Sequence, residues 1–291
     1  VNPEPGKQSN AYTAAQRLDY LRGSDASAGE ADDKMRERSS KLGDFLGSSP
    51  VVVGNQGRYL EGFSNKLEEN EAYTAFLASI QNRKAMVYVG GNAGMLHAFN
   101  AETGVEEFAF VPTAVFPYLN KLTGKGYTHQ YYVDGTPTVA DIYDKENGKW
   151  RTILVGTLRA GGKGLFALDI TDPEKISLLW EFHEYSPDAV DLTIKTGYSF
   201  PKPPIARLHH GRWAVVTGNG YKGEGTNNGG AALYIIDAIT GKLTKSLEVT
   251  GETGENGLST PRLVDFDGYG VADYAYAGDL QGNLWRFDLL G

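Results

Sequence analysis

The run Val215-Val216-Thr217-Gly218, followed by Leu233-Tyr234-Ile235-Ile236-Asp237, decides the architecture. Each half is an apolar, β-branched segment of strand length, and the residues between them are polar and rich in glycine. The unit is therefore a strand ending in Gly, a glycine turn, and a returning strand ending in Asp. It occurs three more times, as Val87-Tyr88-Val89-Gly90 to Leu96-His97-Ala98-Phe99-Asn100, as Ile153-Leu154-Val155-Gly156 to Leu165-Phe166-Ala167-Leu168-Asp169, and as Tyr276-Ala277-Gly278 to Leu284-Trp285-Arg286-Phe287-Asp288. The anchor glycines 90, 156, 218 and 278 are spaced by 66, 62 and 60 residues, a repeat of one supersecondary unit with insertions. A proline-led apolar strand precedes each unit: Pro50-Val51-Val52-Val53, Pro137-Thr138-Val139-Ala140, Pro204-Ile205-Ala206 and Pro261-Arg262-Leu263-Val264. A fourth strand follows the first three units, at Glu107–Val111, Leu178–Phe182 and Thr244–Val249. Four antiparallel strands per repeat build a β-propeller blade, so the expected class is all-β, with about four blades in this chain.

Turn chemistry agrees with this. Ala101-Glu102-Thr103-Gly104 and Ala238-Ile239-Thr240-Gly241 put Gly where a tight turn needs positive φ, and Thr171-Asp172-Pro173 starts another turn. The chain ends at Gly291, just after the third strand of its fourth unit, so residues 49–291 are expected to form a propeller truncated at its C-terminus. Residues 1–48 are polar and read as an irregular, partly helical lead-in, with one helix over Asn10–Leu21, capped by Asn10 and showing Ala14, Leu18 and Leu21 on one face. A second helix is expected over Lys66–Asn82, an insertion between two strands, with Tyr73, Phe76, Leu77 and Ile80 on its apolar face.

Composition narrows the function. The 36 acidic and 28 basic side chains leave a net charge of -8, which argues against a general hold on nucleic-acid backbones. Without cysteine there is no zinc finger, CxxC redox motif, c-type haem attachment or disulfide framework. No apolar run reaches membrane-span length and Val1–Pro5 has no basic n-region before an apolar stretch, so the reading is a mature or excised soluble segment. The 37 glycines in 291 residues are about 13% against a usual ~7%, which suits many short strands joined by tight turns.

Most catalytic signatures fail their context. Gly218-Asn219-Gly220-Tyr221-Lys222-Gly223 spells GxGxxG, but it leads to a strand and not to the helix whose N-terminus holds a dinucleotide pyrophosphate. Ala160-Gly161-Gly162-Lys163-Gly164 lacks the spacing of a nucleotide-binding loop and reads as a hairpin. His97, His129, His183, His209 and His210 show no zinc-ligand spacing, and no GxSxG is present. Arg22-Gly23-Ser24-Asp25 is a polar turn, not an Arg-Gly-Asp tripeptide.

One constellation stands out. Asp265-Phe266-Asp267-Gly268-Tyr269-Gly270-Val271-Ala272-Asp273 places carboxylates at positions 1, 3 and 9 of a nine-residue loop, with two glycines to let it wrap. Ca²⁺ takes about six to eight oxygens, and alternate side chains of such a loop converge on one ion, with the carbonyl of Val271 filling in at position 7. Tyr269 stands at position 5, where Asp or Asn would supply a ligand, leaving its carbonyl or a water. The competing reading is an acidic hairpin with Asp at turn positions.

Several segments together resemble the C-terminal β-propeller domain of the PilC/PilY family of type IV pilus biogenesis factors and tip adhesins. They are Tyr20-Leu21-Arg22-Gly23, Leu42-Gly43-Asp44 with Ser48-Ser49-Pro50, Val87-Tyr88-Val89-Gly90 with Gly94-Met95-Leu96-His97, Val133-Asp134-Gly135-Thr136-Pro137, Ala140-Asp141, and above all Ala277–Asp288. The resemblance implies a modified seven-bladed propeller with no enzymatic activity. It also implies a calcium loop regulating pilus extension and retraction, and so twitching motility, adhesion and virulence. The implied place is the cell surface, pilus tip or outer membrane of a Gram-negative bacterium, with minor pilins or other pilus components, or a host-cell receptor, as partners and no nucleic acid. Two other classes are carried alongside: a quinoprotein dehydrogenase with Ca²⁺ and pyrroloquinoline quinone, and a propeller scaffold that binds peptides or glycans.

Overall fold

The computed structural model describes residues 12–31, 34–57, 70–187, 196–222, 230–249 and 255–291. Among these residues fifteen strands form four antiparallel sheets in chain order. The first sheet is β1 (Val51–Val53), β2 (Met86–Gly91), β3 (Met95–Asn100) and β4 (Glu106–Phe110), and the second is β5 (Thr138–Asp144), β6 (Lys149–Thr157), β7 (Gly164–Asp169) and β8 (Ser177–His183). The third holds β9 (Ile205–Arg207), β10 (Trp213–Gly218), β11 (Ala232–Asp237) and β12 (Leu243–Glu248), and the fourth β13 (Arg262–Val264), β14 (Tyr274–Gly278) and β15 (Leu284–Asp288). Each sheet is a simple meander, so every repeat unit is one blade and the fold is a β-propeller.

The four anchor glycines hold one register position, pairing with Leu96, Phe166, Leu233 and Leu284 of the next strand. The Asn or Asp that closes each third strand has a local job. Asn100 accepts the amides of Glu102 and Thr103, Asp169 that of Thr171, Asp237 those of Ile239 and Thr240, and Asp288 that of Leu290. Gly104 and Gly241 then take φ of 71° and 72° to complete the turns in the first and third blades. In the first three blades the pairing of strands three and four slips by a residue at the same step, Ala98/Phe99, Ala167/Leu168 and Ile235/Ile236, a bulge that adds twist.

Packing between blades follows from the two-residue period of strands. In the second blade Leu154, Phe166 and Leu168 pack toward Tyr88, Leu96 and Ala98 of the first, whereas Ile153, Val155, Leu165 and Ala167 pack toward Ile205, Val215 and Tyr234 of the third. A third core joins Val216, Leu233 and Ile235 to Leu263, Ala275 and Phe287 of the fourth. Sheets buried on both faces explain why these strands read as continuous apolar runs.

Helix α1 (Ala14–Leu21) starts later than the sequence reading placed it. Thr13 is its cap, with Gln16 at the third position closing a reciprocal capping box, while Asn10 lies outside the described residues. Its buried residue is Tyr20, not Ala14 or Leu18, because the Arg38 guanidinium lies 3.8 Å over the Tyr20 ring and the hydroxyl donates to the Arg36 carbonyl. Helix α2 (Asn70–Ser79) ends three residues before the expected Asn82, and residues 66–69 of the expected insertion helix lie outside the described residues. Its face is as expected: Tyr73 and Phe76, with Ile80 just beyond, are buried against Trp150 of the second blade. The Tyr73 hydroxyl donates to buried Asp141, so the first blade's insertion grips the second blade.

Candidate metal centre

The turn between β13 and β14 brings Asp265, Asp267 and Asp273 together, with one carboxylate oxygen of each lying within 4.8 Å of the others. The loop folds this way because the carboxylates collect its own amides. Asp265 accepts from Gly268 (2.8 Å), Tyr269 (3.1 Å) and Gly270 (2.8 Å), and Asp267 accepts from Tyr269 (3.1 Å). Gly268 and Gly270, at φ of 76° and 83°, supply the left-handed backbone that turns those N–H groups inward. Tyr269 thus enters the cluster as an amide donor, while its side chain stays 64% exposed. Val271, the expected carbonyl ligand, lies half-buried between the last glycine and Asp273.

Asp273 anchors the cluster. Its carboxylate is buried, accepts the Phe266 amide at 2.6 Å and faces His209 Nε2 at 2.7 Å. Its amide donates to the Val264 carbonyl and its carbonyl accepts from Leu289, so it extends the fourth blade's bonding by one residue ahead of β14. His209, one of the five histidines without zinc-ligand spacing, reaches the cluster only through the fold. The signal lies in the repeat: His209 occupies the first hairpin of the third blade, the counterpart of the acidic turn in the fourth, and the Ala272 amide donates to the Arg207 carbonyl across the gap between these turns.

Three carboxylates so close repel one another by about 1 kcal/mol per pair even at the dielectric of water, and the inward amides offset part of this. The donor set is all oxygen and runs from exposed Asp267 to buried Asp273, which fits a hard cation better than zinc. The other expected motifs are structural. Gly218–Tyr221 opens the way to β11, with Asn219 accepting the Ala232 and Leu258 amides, and Gly223 lies outside the described residues. Residues 160–163 form the β6–β7 hairpin loop, and Asp25 of the Arg22–Asp25 turn pairs with Arg38 at 2.8 Å.

The sequence profile described as the PilY1 beta-propeller domain matches residues 42–291. The chain belongs to the PilY1 β-propeller family. It is 53% identical over its whole length to the type IV pilus biogenesis factor PilY1 of Pseudomonas aeruginosa strain UCBPP-PA14, and 45% identical over 97% of its length to a PilY1 homolog of Xylella fastidiosa. It spans about a quarter of these relatives, 24% and 22% respectively. The crystal structure of the Pseudomonas aeruginosa PilY1 C-terminal domain superposes with a TM-score of 0.67 at 53% identity, covering 82% of this chain and 45% of that one. These PilY1 relatives are named as pilus biogenesis factors, and no helix among the described residues of this chain is long and apolar enough to cross a membrane.

Proposed function

We propose that the chain is the propeller portion of a type IV pilus biogenesis factor, acting by binding and not by catalysis, in which the Asp265–Asp273 loop holds Ca²⁺ and links calcium to pilus extension and retraction. The observation that carries the calcium reading is the convergence of Asp265, Asp267 and Asp273. Family membership supports the pilus role. Asp265, Asp267 and Asp273 would hold the ion through side-chain oxygens, and the carbonyls of Val271 and Tyr269, or water, would complete its shell. A bound cation supplies positive charge that cancels the mutual repulsion of the carboxylates. The residues themselves set the loop: Asp265 gathers three amides, and Asp273 ties it to the blade ladder. Exposure at the cell surface or pilus tip, minor pilins and other pilus components as partners, and a contribution to adhesion, virulence and twitching motility belong to the same reading.

Calorimetric titration with CaCl₂ is the test. We expect saturable binding of micromolar or weaker affinity, within the range of about 10⁻⁷ to 10⁻³ M for sensor and extracellular sites, with Mg²⁺ a poor substitute because it prefers a compact octahedron and keeps its waters. Absence of calcium-dependent heat at millimolar ion, or unchanged binding after Asp265→Ala and Asp273→Ala together, would leave an acidic hairpin. Stoichiometric quinone absorbance in the purified protein would replace the non-catalytic reading with that of a quinoprotein.

A further inference from the structure

A cleft of about 650 Å³ lies at the other end of the blades from the acidic turn. In a meander successive turns alternate between the two ends. The β13–β14 turn sits at one end, while the β6–β7 hairpin and the links into β5 and β9 sit at the other. Three such segments wall the cleft: a 3₁₀ segment at Thr113–Thr123 with the link up to Tyr131, the β6–β7 hairpin, and the chain that leaves β8 together with Tyr198. Its volume falls in the ~300–1,000 Å³ range of small-ligand sites.

The lining is rich in exposed tyrosine. Tyr20, Tyr88, Tyr132 and Tyr234 are almost wholly buried in the blades, but here Tyr118, Tyr131 and Tyr185 are 46%, 43% and 75% exposed. Among the described residues none of these three, nor Tyr198, is stacked on another aromatic ring; Tyr131 and Tyr185 meet His129 and His183 edge-on. The polar groups are Gln130, Lys121, Lys163, His183 and Glu184. Lys163 lies 3.6 Å from Glu184, and Lys121 sits 5.4 Å over the Tyr118 ring, which places an ammonium beside an exposed aromatic face. Glu184 also pushes the Tyr185 hydroxyl above its ordinary pKa.

We propose that this cleft binds an acidic oligosaccharide, with sugar rings lying on Tyr118, Tyr131 and Tyr185 and the anionic substituent meeting Lys121. Flat, exposed phenol rings offer apolar faces to the C–H faces of pyranoses while their hydroxyls, Gln130 and Glu184 hydrogen-bond the sugar hydroxyls. The Lys121 ammonium, held over the Tyr118 ring, selects an anionic substituent on a sugar that lies there, by the same charge complementarity that steers encounters generally. The site is independent of the calcium loop, so neither proposal falls with the other.

The experiment is a printed panel of sialylated, sulfated and uronate-containing oligosaccharides with their uncharged counterparts, followed by solution titration of the best member. The wild-type protein is expected to favour acidic members, and Tyr131→Ala and Tyr185→Ala each to weaken binding by about three- to tenfold. Lys121→Gln is expected to remove the preference for acidic over neutral sugars. Because these side chains are exposed or half-buried, melting curves of the variants should match the wild type, which separates lost binding from lost fold. Absence of binding across the panel at millimolar sugar, binding unchanged in both tyrosine variants, or binding of acidic peptides alone would overturn the proposal. Titrating the Asp265→Ala, Asp273→Ala protein with the same sugar should give wild-type affinity.

Discussion

Replacing Gly218 with Ala tests the blade architecture more sharply than any surface change, because the same replacement at Gly278 is its internal control. Both glycines end the second strand of a blade in the same register, and neither has positive φ, so backbone conformation does not demand glycine at either position. Space does so at one of them. A Cβ on Gly218 would lie 2.3 Å from the Leu258 carbonyl oxygen and 2.5 Å from that of Ser259, both on the segment leading into β13. A comfortable carbon-to-oxygen approach is about 3.3–3.6 Å, so those carbonyls must retreat by roughly 1 Å. They are backbone and cannot rotate away, and Leu258 O already accepts the Gly220 amide. Overpacking of this kind costs about 1–3 kcal/mol, and the rigidity of the neighbour places Gly218→Ala at the upper end. At Gly278 the nearest atom is Ser259 Oγ at 3.7 Å, an ordinary contact. There the loss of unfolded-state freedom dominates, and Gly278→Ala is expected to stabilise by about 0.4–1 kcal/mol. Urea unfolding followed by circular dichroism should therefore give midpoints on opposite sides of the wild type. Equal midpoints, or a larger loss at Gly278, would refute the claim that Gly218 is kept by the packing of the third blade against the segment that enters the fourth.

Two further outcomes follow from single contacts. Trp180→Phe removes an indole that is 6% exposed and donates to the Ala238 carbonyl at 3.0 Å, joining the second blade to the third, and should cost about 1–3 kcal/mol by thermal melting. Burial draws the Asp279 carboxyl upward in pKa, but hydrogen bonds from Trp285, Asn256 and Asn283 outweigh it and hold the group well below the usual carboxylate range. Its stabilising contribution is thus present above about pH 4 and lost as pH falls through the depressed folded value, so Asp279→Asn should flatten the acid limb of a melting-temperature profile.

What the sequence made legible was whatever neighbours along the chain decide. The strands of blades one to three could be read because both faces are buried and the runs stay apolar, and the Asn or Asp closing each third strand could be read as a turn former. The α1 cap was also local: Thr13 and Gln16 spell a capping box, which outranks Asn10 because the two side chains and two amides satisfy one another. Burial of Tyr20 was not legible, since it depends on Arg38, 18 residues away and brought near only by folding. The three aspartates could be paired from spacing within one loop. His209 and the tyrosine cleft could not, because Tyr118, Tyr131 and Tyr185 meet only when separate inter-strand segments of the first two blades share one end of the propeller.

The attachment of the acidic loop decides whether an ion there would affect more than nine residues. Were the aspartates on a free hairpin tip, ordering them would stay local, as in the low-stability openings of surface loops. Asp273, however, carries both functions: its carboxylate belongs to the cluster, and its amide and carbonyl pair with Val264, the last residue of β13, and with Leu289, just past the end of β15. Next to it, Ala272 donates to Arg207 of the third blade, and His209 from that blade faces the Asp273 carboxylate. Loss of the loop therefore withdraws ladder bonds from the fourth blade and the seam to the third together. An ion bound at a hundred times its dissociation constant stabilises the folded state by about 2.7 kcal/mol. Through Asp273 that energy is spread over the seam between two blades, so calcium should raise the melting temperature of the chain and slow amide exchange at Asp273 and Leu289, not only within the loop. Exchange slowed at Gly268–Gly270 alone would show that the ion orders a tip and leaves the blades untouched.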